Sequence, residues 1–391
     1  MGTPLFEFYC PVKIISGDLA LANVPHEMEQ LGTKRALIVT DKGVAGAGLI
    51  KYVEMAFEGS GCEIGAIFDE TPPDSSNRIV NKVAELFKEK KCDCFVAVGG
   101  GSCMDTTKGA NIVVSEGTDD LMKFQGADRI SRQLKPFMAV PTTAGTGSEV
   151  TLVAVIYNED KNCKMAFTSD RLLPNAAFLD PRMTMSLPPK ITAATGMDAL
   201  THAVEAYFCL QKNPVSDAFA ISAIKLIMAN IEKATEKGDD VTARLNMANG
   251  ALLAGIAFSN SMVGVVHSLA HATGGVCHVP HGVANSIFLP YGMEQNLEKC
   301  SATIAELSPL LCKTPPSGGS VEKAKCCIQS IRDLADRLNK LCGLPTRLRD
   351  TGVKETDLPE IAKLTINDGS LVYNPEELTF DEALEILKKA F

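Results

Sequence analysis

The chain of 391 residues lacks several features that mark whole classes of protein. It contains no run of about 18 uninterrupted apolar residues, so we expect no transmembrane helix and no membrane partner. Lys and Arg number 38 against 47 Asp and Glu, and the net charge of −9 argues against nucleic-acid partners, because those need a basic surface. The N-terminus has no basic segment followed by an apolar one, so no secretory signal is expected.

The sequence also has no Cys-x-x-Cys pair, although it contains 13 cysteines. Cys92 and Cys94 are two positions apart, and Cys326 and Cys327 are adjacent, and neither spacing suits a zinc knuckle. We therefore expect free thiols in a reducing cytoplasm, where most of them act as small apolar side chains.

The length of the chain suggests about two domains. In the first half, short apolar runs at 35–41, 62–69 and 94–102 alternate with segments such as 77–91, whose apolar residues have helical spacing. Short buried strands separated by amphipathic helices are typical of β-α-β units, so we predict an α/β domain with a mostly parallel sheet over residues 1–185.

The pattern changes near residue 186, and most of the chain beyond that point has helical periodicity. The predicted helices are 190–208, 215–232, 241–258, 262–274, 297–312, 320–341 and 377–391. We therefore predict an all-helical domain over residues 186–391.

Residues 98–108, "VGGGSCMDTTK", consist of a strand, three glycines and the start of a helix. Glycines let the backbone approach a ligand, and a helix N-terminus offers unpaired N–H groups, so the segment suits a pyrophosphate. The alternative is a capping box between Ser102 and Asp105. The Gly-x-Gly-x-x-Gly fingerprint is absent here, so an ordinary Rossmann domain is not the best match.

Two further features lie where predicted strands end. Residues 141–149, "PTTAGTGSE", form a loop of small and hydroxylated residues that could contact a nucleotide. Asp41 ends an earlier strand, where an acid can accept hydrogen bonds from a ribose and repel a 2′-phosphate. The sequence does not separate this role from simple capping of the next helix.

The segment "TGMDALTHAVE" (195–205) places Asp198 and His202 four residues apart on a predicted helix, and therefore on one face. Alone, such a pair is more often a hydrogen bond or a half-buried histidine than part of a metal site. Other ligands are needed before the pair indicates metal.

Residues 267–282, "HSLAHATGGVCHVPHG", hold four of the six histidines. His267 and His271 are four apart on a predicted helix, and His278 and His281 lie in the loop predicted to come after it. With Asp198 and His202, these residues could complete a cation site. A carboxylate with imidazoles suits Fe(II) or Zn(II) and differs from the oxygen cage of Ca(II) or Mg(II).

Five of these segments together resemble the iron-containing (group III) alcohol dehydrogenase family, in the same order along essentially the whole chain. They are "GGGSCMDTTK", "PTTAGTGSEVT", "GMDALTHAVEAY", "HSLAHATGG" and "PHGVANSIFLPY". The resemblance implies a dehydroquinate-synthase-like α/β domain that binds nucleotide, followed by an all-helical domain that binds metal. It also implies NAD(H), Fe(II) with Zn(II) as the alternative, and a cytoplasmic homodimer or higher homo-oligomer.

The resemblance assigns roles to individual residues by matching positions. The implied metal ligands are Asp198, His202, His267 and His281. His271 would lie near the reacting groups as the catalytic residue, and His278 falls outside the motif. The implied cofactor-binding residues are Asp41, Asp74, Gly99, Gly100, Gly101, Ser102, Thr142, Thr143, Ser148 and Lys164, and Val153 and Phe258 would border the substrate. Asp74 belongs to a run, Pro73-Asp74-Ser75-Ser76, that departs from the Pro-Asn-Pro-Thr common in the family.

The function implied is hydride transfer between NAD(H) and a short-chain primary alcohol or aldehyde, with the metal polarising the substrate oxygen and aldehyde reduction as the expected physiological direction. Ethanol, 1-butanol, propanediol or lactaldehyde and sulfoacetaldehyde all stay open as substrates. The alternatives are a metal-dependent lyase or cyclase of the dehydroquinate-synthase type, and a non-catalytic binding protein that keeps the fold.

Overall fold

The computed structural model describes residues 5–161 and 163–391. They form two compact units, Tyr9–Leu187 and Pro188–Phe391, and residues 5–8 belong with the second. In that second unit, the Phe8 ring stacks on Phe219 with 5.6 Å between ring centroids. The domain limits of 1–185 and 186–391 stay a prediction.

The first unit contains nine strands among its described residues. They are β1 Lys13–Ser16, β2 Arg35–Val39, β3 Glu63–Phe68, β4 Cys94–Gly99, β5 Gly126–Ala127, β6 Phe137–Pro141, β7 Val153–Asn158, β8 Cys163–Thr168 and β9 Ala176–Leu179. Six of them form one sheet in the order β1-β9-β6-β4-β2-β3, and every pairing in it is parallel. Strands β4 and β6 are buried at every residue, which explains their continuous apolar sequences.

The described part of the first unit also contains five α-helices and a second sheet of three strands. The helices are α1 Val24–Gln30, α2 Lys42–Gly46, α3 Ile50–Phe57, α4 Asn77–Glu89 and α5 Gly101–Glu116. Strands β7 and β8 pair antiparallel, and β5 pairs parallel to β8. Helix α5 begins at Gly101, with Gly100 as an N-cap that makes no side-chain cap bond. The capping box between Ser102 and Asp105 is therefore wrong, because both residues lie inside the helix.

In the second unit, every regular element among the described residues is a helix. The α-helices are α6 Pro189–Phe208, α7 Pro214–Glu236, α8 Val241–Ser259, α9 Val265–Cys277, α10 His281–Gln295, α11 Leu297–Glu306, α12 Ser308–Leu311, α13 Ser320–Cys342, α14 Leu358–Thr365 and α15 Phe380–Ala390. The predicted fold class, an α/β region with a parallel sheet followed by an all-helical region, is confirmed.

The sequence analysis missed α10 and α14 and placed His281 in a loop, which is wrong because His281 is the first residue of α10. Helix α10 contains Pro290 in its interior and carries Gly282 and Gly292. These residues disfavour helix when sequence is considered alone. Packing compensates, since all but one of the residues from Val283 to Met293 are buried.

Helix α7 is long and apolar enough, by length and composition, to cross a membrane. Its buried residues are Ser216, Ala220, Ala223, Ile224, Ile227, Ile231, Ala234 and Thr235. They recur every three or four positions and so share one face, which packs against α6 and α8. Bundle packing therefore accounts for the apolar residues on this face of the helix. Each of the 13 cysteines is a free thiol, as expected.

Helices α9 and α10 approach closely at Gly292, where a Cβ atom would overlap Val266 Cγ2 and lie 3.1 Å from Val265 Cγ1. We expect Gly292→Ala to lower the free energy of unfolding by about 1–3 kcal/mol, because extra atoms in a filled contact force the helices apart. Gly275→Ala is the matched control in α9, since a Cβ there meets nothing within 4 Å. It should stabilise the protein by about 0.4–1 kcal/mol by restricting the unfolded chain. Urea unfolding of both variants checks this, and equal effects would contradict it.

Candidate active site

Helix α6 carries three polar side chains on one buried face. Asp198, His202 and Glu205 lie at positions i, i+4 and i+7, so they succeed one another along a single side of the helix. All three are nearly or fully excluded from solvent. A buried face with two acids and an imidazole requires partners, because isolated charges are strongly disfavoured inside a protein.

Helices α9 and α10 provide those partners. His267 lies on α9 and His281 begins α10, and one ligand atom from each of Asp198, His202, His267 and His281 lies within 4.8 Å of the other three. The His202 and His267 rings are stacked with centroids 4.6 Å apart. The structure therefore brings together the four residues that the resemblance implied as metal ligands.

The contacts of Asn285, one turn after His281, indicate whether this cluster fits a cation. Its amide nitrogen Nδ2 lies 2.6 Å from Asp198 Oδ1, 3.0 Å from His281 Nε2 and 3.3 Å from His267 Nε2. An amide has two hydrogens, so it cannot satisfy three acceptors that converge on one point. Among the described residues, none bonds to the buried Oδ1 of Asn285. Three imidazoles and a carboxylate converging in this way fit Fe(II) or Zn(II).

Glu205 fixes the orientation of His267. Its Oε2 lies 2.5 Å from His267 Nδ1, and its carboxylate also accepts the backbone N–H groups of Val266 (2.8 Å) and His267 (3.3 Å) at the start of α9. The carboxylate thus caps α9, whose own N-cap Gly264 has no side chain. A proton on Nδ1 leaves Nε2 as a lone-pair donor facing the cluster.

Burial shifts both members of this pair away from their ordinary ionisation. Burial raises the pKa of Glu205 to about 8, although hydrogen bonds from the backbone of Val266, Gly264 and His267 lower it. Burial lowers the pKa of His267 well below its ordinary value, and the neighbouring histidines lower it further. His267 is therefore a neutral imidazole, which is the form that binds metal.

His271, one turn after His267 on α9, is the more exposed of the two, with 43% of its side chain accessible. Its Nδ1 lies 3.0 Å from Asp368 Oδ2, while Ser268 Oγ donates to Asp368 Oδ1 at 3.3 Å. Burial raises the pKa of Asp368, but the hydrogen bond and charge of His271 and the bonds from Ser370 outweigh it, so the net shift is downward. The His271 ring also stacks on His281, with centroids 5.3 Å apart.

Two other residues singled out from the sequence lie in the same unit. Phe258, at the end of α8, stacks on His202 with 4.2 Å between centroids and an interplanar angle of 15°. It therefore forms an apolar wall against the cluster. His278 is exposed and adopts a left-handed conformation (φ 55°) at the C-cap of α9, apart from the four clustered side chains.

In the first unit, most of the implied cofactor residues come after the carboxyl ends of three adjacent strands. Asp41 comes after β2, Gly99 ends β4 and is followed by Gly100–Ser102, and Thr142 and Thr143 come after β6. Thr142 N donates to Gly99 O at 3.1 Å, so the end of β4 is in contact with the loop after β6. From β2 the chain continues to β3, and from β4 it continues to β6 in the opposite direction. The switch point, where open α/β sheets bind ligands, therefore falls between β2 and β4.

Asp41 contacts both sides of this switch point. Its Oδ1 accepts the backbone N–H of Val44 at 2.9 Å and so caps α2, which was the alternative left open by the sequence. Its Oδ2 accepts a hydrogen bond from the thiol of Cys103 in α5, with 3.3 Å between the atoms. Capping thus engages only one of the two carboxylate oxygens.

Lys108, which the sequence analysis did not single out, holds the loop after β6. Its Nζ lies 2.8–3.2 Å from five oxygens, the backbone and hydroxyl oxygens of Ser148 and Thr151 and the backbone oxygen of Val153, and its three hydrogens are donated among them. Asp105, one turn earlier on α5, accepts from Ser148 Oγ and Val155 N. Burial lowers the pKa of Lys108 to about 8, while Asp105 and Glu149 raise it. The loop is therefore bound to α5 by a buried network.

The remaining implied cofactor residues, Asp74 and Lys164, contact each other. Lys164 Nζ lies 2.7 Å from Asp74 Oδ1, and both side chains are largely exposed. Asp74 has a positive φ of 53°, and Tyr157 N donates to the backbone of the next residue, Ser75. The half-buried Val153 begins β7.

Comparison with known proteins gives consistent results over the whole chain. Residues 11–181 match the model of the family described as iron-containing alcohol dehydrogenase, and residues 192–391 match the C-terminal model of the Fe-containing alcohol dehydrogenase family. The chain is 38% identical to the 1,3-propanediol dehydrogenase of Citrobacter freundii over 393 residues, covering 100% of both. It is 36% identical to the NAD-dependent methanol dehydrogenase of Bacillus methanolicus, covering 98% of this chain and 99% of the relative.

Solved structures agree with these matches. The crystal structure of a 1,3-propanediol oxidoreductase has a TM-score of 0.95 and 38% sequence identity to this chain, covering 99% of this chain and 100% of the other. The two family models together span nearly the full length, so the chain belongs to the iron-containing alcohol dehydrogenase family.

Proposed function

We propose that this protein is a metal-dependent, NAD(H)-linked oxidoreductase that interconverts short-chain primary alcohols and aldehydes. The observation that carries the proposal is the convergence of Asp198, His202, His267 and His281 from three helices onto one point. The intact set of four ligands argues against a non-catalytic binding protein that keeps the fold. The family matches do not favour the lyase or cyclase alternative.

These four residues would hold Fe(II), with Zn(II) as the alternative metal. A divalent cation bound there supplies Lewis acidity that polarises a carbonyl oxygen and stabilises the negative charge of an alkoxide. The protein's contribution is a rigid set of donors, with Glu205 holding His267 in the correct tautomer. The Phe258 ring, stacked on His202, keeps water from that side of the cluster.

His271 is proposed as the residue that exchanges a proton with the substrate oxygen. Because Nδ1 of His271 is bonded to Asp368, the ring presents Nε2 for proton exchange. Its exposure also connects it to solvent, which has to take up the proton released on alcohol oxidation and return it on aldehyde reduction. Asp368 acts through His271 by fixing the ring orientation.

Nicotinamide carries the hydride, and the first unit would bind the dinucleotide. The Gly99–Gly101 turn at the N-terminus of α5 suits the pyrophosphate, and Asp41 suits the adenosine ribose. We assign Ser102, Thr142, Thr143, Ser148, Asp74 and Lys164 to the same cofactor. Asp74 and Lys164 are already paired with each other, so both would bind at the edge of the site.

Short primary alcohols are the proposed substrates. Methanol and 1,3-propanediol, named in two relatives, are both small molecules with primary hydroxyl groups. Phe258 and Val153 would border the reacting carbon with apolar surface, which suits a short aliphatic chain. We propose aldehyde reduction as the physiological direction.

The assembly and location are inferred from the family alone. We propose a cytoplasmic homodimer or higher homo-oligomer, and light scattering of the purified protein measures the oligomeric state directly.

Reduction of short aldehydes tests the proposed function and cofactor together. A series containing propanal, butanal, lactaldehyde, 3-hydroxypropanal and sulfoacetaldehyde should show turnover, with kcat/KM higher for NADH than for NADPH. The preference arises because the Asp41 carboxylate repels a 2′-phosphate. Asp41→Gly should reduce the difference in kcat/KM between NADH and NADPH. Equal efficiency with both cofactors in the wild type would contradict the role of Asp41, and no turnover with any aldehyde would contradict the function.

Removal of a ligand and removal of a proton-exchanging group should have different consequences. His267→Ala and Asp198→Ala should purify largely without metal, and their activity should fall with metal content. His271→Ala should keep near-stoichiometric Fe or Zn and lose about 10²- to 10⁴-fold in kcat, as expected for general acid–base catalysis. Elemental analysis beside kcat separates the two cases. The assignment is wrong if His271→Ala loses the metal while His267→Ala retains it.

Glu205→Gln should weaken metal binding about 10- to 100-fold, because an amide has only one acceptor oxygen and cannot serve both the Val266 N–H and His267 Nδ1 as the two carboxyl oxygens do. Glu306→Gln is the matched control, since Glu306 accepts a hydrogen bond from Tyr207 of the same helix but contacts none of the four clustered residues. Competition with a chelator measures metal affinity in both variants, and thermal unfolding verifies their folding. Unchanged affinity in a folded Glu205→Gln protein would show that Glu205 only caps α9.

A further inference from the structure

Cys103 is the third residue of α5, two positions after the last glycine of the turn, and its side chain reaches Asp41, which follows β2 on the other side of the switch point. Its Sγ donates to Asp41 Oδ2 at 3.3 Å, and the residue is 1% exposed. Burial raises the pKa of the Cys103 thiol well above its ordinary value, and the charge of Asp41 raises it further. The sulfur therefore keeps its hydrogen at neutral pH and serves as a donor.

The thiol completes the fixation of the Asp41 carboxylate. Val44 N binds Oδ1 at 2.9 Å, and Cys103 Sγ binds Oδ2, so the two oxygens are held by donors from two different helices. With only the first bond, the carboxylate could still rotate about its terminal torsion, which is a broad two-fold rotor. The second bond removes that freedom before any ligand arrives.

The sulfur also fills the space between Asp41 and the glycine turn. A Cβ atom at Gly99 would overlap Cys103 Sγ and Cβ, and it would lie 3.6 Å from Asp41 Oδ2. Gly99 thus leaves room for the thiol, and the thiol connects the turn suited to the pyrophosphate with the acid suited to the ribose.

We propose that Cys103 is a positioning residue that orients the Asp41 carboxylate and thereby sets how strongly the protein discriminates NAD(H) from NADP(H). The inference rests on the proposed function, in which Asp41 faces the adenosine ribose. An oriented carboxylate binds the ribose hydroxyls without first losing rotational freedom, and it holds its charge where a 2′-phosphate would lie.

Equilibrium binding tests this without any catalytic turnover. NADH and NADPH fluorescence titrations give Kd values for the wild type, Cys103→Ala and Cys103→Ser. In Cys103→Ala the ratio of the NADPH Kd to the NADH Kd should fall about 2- to 10-fold, the range expected for one lost hydrogen bond. Cys103→Ser retains a hydrogen-bond donor, so its Kd ratio should stay close to that of the wild type. Cys94→Ala, a buried thiol of β4 that does not contact Asp41, is the control and should leave the ratio unchanged.

The S–H stretching band provides a second measurement that does not depend on the alanine variant folding. The infrared difference spectrum of wild type minus Cys103→Ser isolates this band. It should shift to higher frequency in an Asp41→Asn background, because the thiol then donates to a weaker, uncharged acceptor.

The outcomes separate this inference from the proposed function. A wild type that binds NADH no better than NADPH contradicts the cofactor assignment itself. A wild type that prefers NADH, with the same Kd ratio in a folded Cys103→Ala protein, contradicts only the role of Cys103. The role is likewise wrong if the S–H band is unaffected by Asp41→Asn, or if Cys103→Ser lowers the ratio as far as Cys103→Ala does.

Discussion

The contact between Glu205 and His267 is the interaction on which the helical unit's site depends. One buried carboxylate caps the first turn of α9 and also orients the imidazole that the same turn presents. Helix position and ligand tautomer are therefore coupled, since any movement of α9 relative to α6 changes both sets of bonds. The carboxyl group of Glu205 is tolerated at 0% exposure because several hydrogen-bonding groups converge on it. Asn285 of α10 contacts side chains of α6 and α9, and Asp368 binds two side chains of α9, those of Ser268 and His271.

The α/β unit has a comparable arrangement in which a buried basic side chain takes the place of the acidic one. Lys108 is buried in α5 and donates to oxygens of the segment from Ser148 to Val153, so a cation binds backbone groups of a loop that we propose to contact the cofactor. Glu205 in turn binds backbone N–H groups at the start of a ligand-bearing helix. In both units a buried titratable side chain on a helix binds the backbone that carries proposed ligand residues. This places rigidity where ligand geometry requires it.

Sequence periodicity predicted what is local, and it failed where contacts are distant or where packing overrides propensity. The i, i+4 spacing of Asp198 and His202, the histidine-rich segment and the small residues after strands are local patterns, and the structure places them on a helix face and at strand ends. Helix α10 was missed because Pro290 disfavours helix locally, while burial of nearly every neighbour stabilises it. Asp368 is 97 residues from His271, so no spacing rule could connect them. Glu205, three residues after His202, was within reach of the same periodicity argument.

The two interpretations of Asp41, helix cap and ribose acceptor, are compatible because a carboxylate has two oxygens and about four acceptor positions. Val44 N and Cys103 Sγ occupy one position on each oxygen, which leaves further lone pairs for ribose hydroxyls. Neither donor carries a charge, so neither neutralises the repulsion that a 2′-phosphate would experience. The capping bond and the thiol bond instead fix where that negative charge lies. Asp41, which lies between β2 and α2 as the helix cap, would therefore select a cofactor through a carboxylate whose position is fixed by the same bonds that hold it in the fold.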